Sequence, residues 1–179
     1  MKASPAPAPR RSTPPWRYAI GMFGTSIPIN VIKGSMLYFY VSVLGMDAAA
    51  YAGVYAVYGI IDAVDNPVFG YISDRTRSRW GRRRPYLVAG ALLLLGSMIA
   101  LFWVPDAVVA RKTGILVAWF ATFAILSEAS DSLVNASYGA LLPELFPAER
   151  RRALANSLRQ GLQLVAMIIS LGLTPLLAR

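Results

Sequence analysis

The sequence of 179 residues contains no cysteine and no histidine, and only 9 of its residues are acidic. Without cysteine there is no disulfide framework and no thiol nucleophile. Without histidine there is no Ser-His-Asp triad and no zinc site of the usual ligand types. Charged residues of both signs make up only 15% of the chain. An enzyme, a bound metal and an organic cofactor are therefore not expected.

Apolar residues dominate instead, at 56% of the chain, and the mean hydropathy is +0.49. Because a bilayer core about 30 Å thick needs about 20 apolar helical residues, stretches of that length indicate membrane spans. Five such stretches predict an all-α, polytopic membrane protein. The predicted spans are residues 18–44, 48–71, 85–104, 114–142 and 153–177.

Residues 1–17 are rich in proline and contain no long apolar run, so they predict a disordered tail. The net charge of +9 is concentrated in that tail, in the segment 75–84 and in the segment 150–152. Under the positive-inside rule, this places the N-terminus in the cytoplasm of a multi-pass cell-membrane protein. A nucleic-acid partner is not expected, because the arginines flank spans and form no folded basic face.

The second predicted span carries ionisable residues, which usually face a protein interior or a water-filled cavity at membrane depth. Tyr58, Asp62, Asp65 and Asn66 recur at helical spacing. Aromatic rings stack on sugars, and carboxylates bind Na⁺ or H⁺, so these residues are candidates for a sugar and cation site. The alternative is a helix interface with satisfied polar contacts.

Three other spans carry polar stripes of their own. These are Ser26, Asn30 and Lys33 in span one, Glu128, Asp131, Asn135 and Tyr138 in span four, and Asn156, Arg159, Gln163, Ser170 and Thr174 in span five. We expect the substrate to be bound by Ser26, Asn30, Lys33, Tyr58, Asp62, Glu128, Asp131, Asn135 and Arg159. Interhelical hydrogen bonds worth about 1 kcal/mol each would also explain the three stripes. However, the predicted spans contain four carboxylates and only two cationic side chains. This excess of carboxylates indicates that the protein binds a cation or a proton.

The loop between spans two and three runs from Gly70 to Pro85 and contains six arginines. Asp74 falls at a helix C-terminus, where an anion needs a nearby arginine to compensate the helix dipole. We expect a salt-bridged gate on the cytoplasmic side, although the arginines also serve as anchors. The gate is assigned to Gly70, Asp74, Arg75, Gly81, Arg82 and Arg83.

Three segments resemble the glycoside-pentoside-hexuronide:cation symporters of the major facilitator superfamily. They are Asp-Ala-Val-Asp-Asn-Pro at 62–67, the arginine-rich loop with Thr-Arg-Ser-Arg-Trp-Gly at 76–81, and Asn-Ala-Ser-Tyr-Gly-Ala-Leu-Leu-Pro-Glu at 135–144. The resemblance implies transport of a sugar or glycoside with Na⁺ or H⁺ by alternating access. It implies that Asp62 holds the sugar or the cation, and Arg159 matches a family arginine. Lys33 departs from the family pattern and could pair with Asp62 as a built-in cation.

The resemblance also implies twelve spans in two halves, with the site between them. This chain has five predicted spans, so the remaining half of the carrier, or another chain, is an expected partner beside the lipid bilayer. Two alternatives stay open: a lipid or drug carrier of the same superfamily, and a membrane interaction protein that transports nothing.

Overall fold

The computed structural model describes residues 13–75, 79, 83–110 and 114–177, and no strand occurs in these ranges. The all-α class predicted from the sequence is confirmed for this part of the chain. The helices are α1 Pro15–Leu37, α2 Ala48–Arg75, α3 Arg84–Phe102, α4 Asp106–Val109, α5 Ile115–Gly139, α6 Leu141–Leu145 and α7 Glu149–Leu177. A π-helical segment, Tyr38–Val43, extends α1.

Helix α1 begins earlier than the sequence analysis predicted. Pro14 is extended, and Pro15 occupies the first turn, where a missing backbone N–H costs nothing. Residues 15–17 therefore belong to the helix and not to the predicted tail, and residues 1–12 lie outside the described ranges. After the π-helical segment, Gly45 adopts a φ of 70°, which glycine tolerates without steric cost and which turns the chain toward α2.

The fourth predicted span is divided in the structure. Helix α5 ends at Gly139, and the short helix α6 follows after Ala140. Pro143 has no N–H to donate to the Gly139 carbonyl, and its ring opposes a continuous helix at that point. Elsewhere, α2 continues to Arg75 and α7 begins at Glu149, beyond the predicted limits of their spans.

Two helical stretches among the described residues are long and apolar enough to cross a membrane. They are Arg84–Phe102, with a mean hydropathy of 2.1, and Ile115–Leu145, with a mean hydropathy of 1.3. Helices α1, α2 and α7 are also long, but no stretch of their described residues meets the same test of length and hydropathy. The five-span topology therefore stays a prediction.

The helices pack in two groups, which meet where α1 contacts α5. Helix α1 lies along α7, while α2 and α3 both pack against α5. Aromatic rings fill the core between them: the Phe120 ring lies 4.4 Å from that of Tyr40 and 5.0 Å from that of Tyr51. The Tyr40 hydroxyl donates a hydrogen bond to the Leu101 carbonyl at 2.9 Å. This core fixes the rotation of α5, which carries the acidic stripe.

The crossing of α3 and α5 is close because Gly90 has no side chain. A Cβ atom added at Gly90 would lie 2.7 Å from Val134 Cγ2 and 3.2 Å from the Ser130 carbonyl oxygen. A larger residue does not fit there without moving one of the helices. Gly90 therefore sets the distance between α3 and the helix that carries Glu128 and Asp131.

Candidate cavity between α1, α5 and α7

A polar cavity of about 340 Å³ lies between α1, α5 and α7. Five of the predicted site residues line it: Ser26, Asn30, Lys33, Asp131 and Asn135. The remaining lining residues are Ile29 from α1 and Gln160, Gln163, Leu164 and Met167 from α7. The structure thus brings the polar stripes of spans one, four and five together around one space.

Gln160 is a cavity residue that the sequence analysis missed. It lies three residues before Gln163, so both side chains belong to one face of α7. The sequence shows this spacing, but the prediction assigned the neighbouring Arg159 to the site instead of Gln160. Ser26 contributes less than predicted as a donor, because its hydroxyl already donates to the Met22 carbonyl at 2.8 Å.

Lys33 forms the central ion pair of the site. Its Nζ atom lies 3.4 Å from Glu128 Oε2, and the side chains are 38% and 2% exposed, respectively. The ammonium also lies 5.6 Å from the centre of the Tyr58 ring, within cation–π range. Lys33 therefore links α1 to α5 and α2, and the ion pair that the structure shows is with Glu128 instead of the predicted Asp62.

Asp131 is the acidic residue among those lining the cavity. It is buried, and its side chain shares a hydrogen bond with Asn135, one turn further along α5. It interacts electrostatically with Lys33, Glu128 and Asp62. Three carboxyl groups and one ammonium thus lie near one another in this part of the molecule.

Asp62 and Asp65, two of the three predicted cation ligands of α2, are absent from the lining of this cavity. Asp65 is buried and Asp62 is exposed, because positions three residues apart on a helix differ in direction by roughly 60°. The Asn66 side chain lies outside the described residues. Tyr58 is buried, and its ring stacks on Tyr55 with the centroids 5.1 Å apart.

Arg159 lies beside a tyrosine pair that joins α1 to α5. The rings of Tyr18 and Tyr138 stack with their centroids 4.6 Å apart, and each hydroxyl donates to the backbone carbonyl of the other residue. Arg159 shares a side-chain hydrogen bond with Tyr18 and interacts electrostatically with Tyr138. It is absent from the cavity lining, so these contacts favour a role in helix packing.

The predicted gate is only partly described. Gly70 and Arg75 lie in α2, and the Arg75 guanidinium stands 4.3 Å from the centre of the Tyr71 ring. Arg83 Nη2 lies 3.2 Å from Glu144 Oε1, which ties the start of α3 to α6. The Asp74 side chain and the residues Gly81 and Arg82 lie outside the described part of the chain.

A polar, charged cavity in a bundle that contains apolar helices of membrane length is typical of helical membrane transport proteins. The family model for MFS/sugar transport proteins matches residues 17–179. The chain belongs to this family of the major facilitator superfamily, in the group of glycoside and cation symporters that its sequence resembles. It is accordingly a membrane-embedded protein.

Individual relatives agree with this membership. The chain is 33% identical over 164 residues to an uncharacterised symporter of Synechocystis, a match that covers 90% of the chain and 30% of the relative. It is 30% identical over 186 residues to the isoprimeverose transporter of Lactiplantibacillus pentosus, covering 99% of the chain and 38% of the relative. A putative glycoside/cation symporter of Escherichia coli is 37% identical over 71 residues, covering 40% of the chain and 15% of the relative. The chain thus spans about a third of the length of the first two relatives.

Proposed function

We propose that this chain forms part of the first half of a cell-membrane carrier that moves a sugar or glycoside together with Na⁺ or H⁺. The observation that carries the proposal is the cavity itself. Its volume of about 340 Å³ lies within the range of small-molecule sites, and three helices supply polar side chains to it. Two of the relatives support this substrate class by their names, since one is an isoprimeverose transporter and the other a putative glycoside/cation symporter.

The lining suits a molecule that carries many hydroxyl groups. Each sugar hydroxyl both donates and accepts, and the amides of Asn30, Asn135 and Gln163 offer both kinds of partner. The carboxylate of Asp131 accepts a hydrogen bond from a hydroxyl more strongly than a neutral oxygen does. Leu164 and other apolar lining residues provide surface for the C–H face of the ring.

The coupling cation is bound by the acidic residues of α2 together with those of α5. Asp62 is exposed in this chain, and an exposed carboxylate on a membrane helix requires cover from protein or water. In a carrier built of two halves, the second half supplies that cover. Asp65 and Asn66 lie on the following turn, where a cation bound near Asp62 would come within reach.

The carrier also has a defined topology and a cytoplasmic gate. The chain contributes five spans with a cytoplasmic N-terminus, and the rest of the carrier, or another chain, closes the site. The arginine-rich loop forms the cytoplasmic gate, and the Arg83–Glu144 ion pair holds one of its conformations. Arg159 supports the packing of α1, α5 and α7 through its contacts with Tyr18 and Tyr138.

Counterflow into proteoliposomes tests the function directly. We expect that vesicles holding the carrier that contains this chain, preloaded with unlabelled glycoside, take up labelled glycoside faster than empty vesicles. Isoprimeverose and other glycosides should compete for this uptake, whereas lysolipids should not. Competition by lysolipids alone would favour the lipid carrier, and the absence of any flux would favour the interaction protein.

A further inference from the structure

Lys33 places a fixed positive charge inside the acidic part of the site. Its Nζ atom lies 3.4 Å from Glu128 Oε2, and the Glu128 carboxylate is almost fully buried. The side chain of Lys33 itself is 38% exposed and borders the cavity. The ammonium therefore stands between the buried carboxylate and the space in which a solute would bind.

Within the described ranges, the charged and titratable groups shown to interact with this ammonium come from α5 and α2. Helix α5 supplies Glu128 and Asp131, and α2 supplies the Tyr58 ring, whose centre lies 5.6 Å from the ammonium. Asp62 of α2 interacts electrostatically with Asp131. The polar side chains that α7 brings to the cavity lining are amides and carry no charge. Lys33 is thus the positive charge that interacts with both Glu128 and Asp131.

A sodium ion would bind to the same carboxylate oxygen atoms of Glu128 and Asp131. Carboxylate oxygens are the hard ligands that such cations prefer, and a lysine ammonium is a compact point charge that satisfies them equally well. At an effective dielectric constant of about 20, the repulsion between two unit positive charges about 4 Å apart weakens binding by about a thousandfold. The ammonium and a sodium ion therefore exclude each other at these carboxylates.

We propose that Lys33 determines the cation selectivity of this cavity, because its ammonium occupies the position beside Glu128 and Asp131 that Na⁺ would take. The consequence for transport rests on the proposed function: coupling through this cavity then uses a proton on a carboxylate, and not Na⁺. Lys33 acts as a tethered counter-cation, and glycoside binding needs no metal ion there.

Sodium binding to the full chain in lipid nanodiscs tests this without requiring transport. We expect no saturable binding of radioactive sodium to the unmodified chain up to about 100 mM, near physiological ionic strength. Lys33→Gln removes the charge. We expect this variant to have a saturable sodium site and to bind sodium about tenfold or more tighter than the unmodified chain does. The matched variant Lys33→Arg keeps the charge and should bind no sodium.

A double variant identifies the ligands of the new site. Lys33→Gln combined with Glu128→Gln removes the ammonium and its carboxylate together, and we expect sodium affinity to fall again by about tenfold. Saturable sodium binding by the unmodified chain, or by Lys33→Arg, would overturn the proposal even if Lys33→Gln failed to fold. So would a monodisperse Lys33→Gln variant that binds no sodium.

Transport then separates the two proposals. In the unmodified carrier that contains this chain, replacing choline by sodium should change the rate of glycoside counterflow by less than about twofold. In the Lys33→Gln carrier, the same replacement should change the rate by about tenfold or more. Counterflow of the unmodified carrier that depends strongly on sodium would overturn the role of Lys33. If no glycoside moves at all, the proposed function fails, and the binding experiment still decides the role of Lys33.

Discussion

Replacing Asp131 with asparagine is expected to lower the initial rate of glycoside counterflow by about a hundredfold, equivalent to about 2.7 kcal/mol. Asp131 is the acidic residue among those lining the cavity, and it is buried. A hydrogen bond to a charged group contributes about 1.5–3 kcal/mol, and asparagine keeps the shape of the side chain while removing its charge. The measurement is counterflow in proteoliposomes at matched protein amounts.

Asp106→Asn is the matched control, since it makes the same chemical change at an exposed position in α4, away from the cavity lining. We expect its counterflow rate to equal that of the unmodified carrier. If both variants lose transport equally, the loss reflects charge or expression in general. If Asp131→Asn transports normally, Asp131 has no part in binding the glycoside.

Gly90→Leu is expected to lower the free energy of unfolding by about 1–3 kcal/mol or more, the usual cost of forcing extra methylene groups into a packed interior. A Cβ atom at this position already comes within 2.7 Å of Val134 Cγ2. It also approaches the Ser130 carbonyl to 3.2 Å, and a backbone atom cannot rotate away as a side chain can. Thermal unfolding of the detergent-solubilised chain measures the loss as a fall in Tm.

Gly96→Leu provides the comparison within the same helix. A Cβ atom at Gly96 meets nothing within 4 Å, so a leucine there should leave Tm unchanged or raise it slightly through its higher helix propensity. The two variants share the chemical change and the helix, and they differ in the contact with α5. Equal melting temperatures for the two would show that α3 does not cross α5 as closely as described.

Much of the site could be predicted because membrane helices leave a simple pattern. Apolar runs of bilayer length predict helices, and a polar residue every three or four positions predicts a shared face. Asn30, Lys33, Asp131 and Asn135 lie on such stripes, and the structure brings them around one cavity. The cost of polar groups in lipid is the physical reason that these stripes converge.

The pairing of charges could not be predicted in the same way. Lys33 contacts Glu128 because packing of the Phe120 region fixes the rotation of α5 relative to α1, and no local sequence rule contains that angle. Arg159 is next to Gln160 in sequence, yet only Gln160 lines the cavity. A step of one residue turns a side chain by about 100° on a helix, so spacing alone is sensitive to small errors in rotation.

Cysteine labelling of the cavity tests most directly that it is the place where the glycoside binds. This chain contains no cysteine, so Gln163→Cys introduces a single thiol at the cavity lining, and Leu92→Cys introduces one on α3, where the side chain is 64% exposed on an apolar face. We expect a membrane-impermeant thiol reagent to modify Gln163→Cys and not Leu92→Cys. A glycoside at about ten times its Kd should slow that modification about tenfold. Modification of Gln163→Cys at the same rate with and without glycoside would contradict the account.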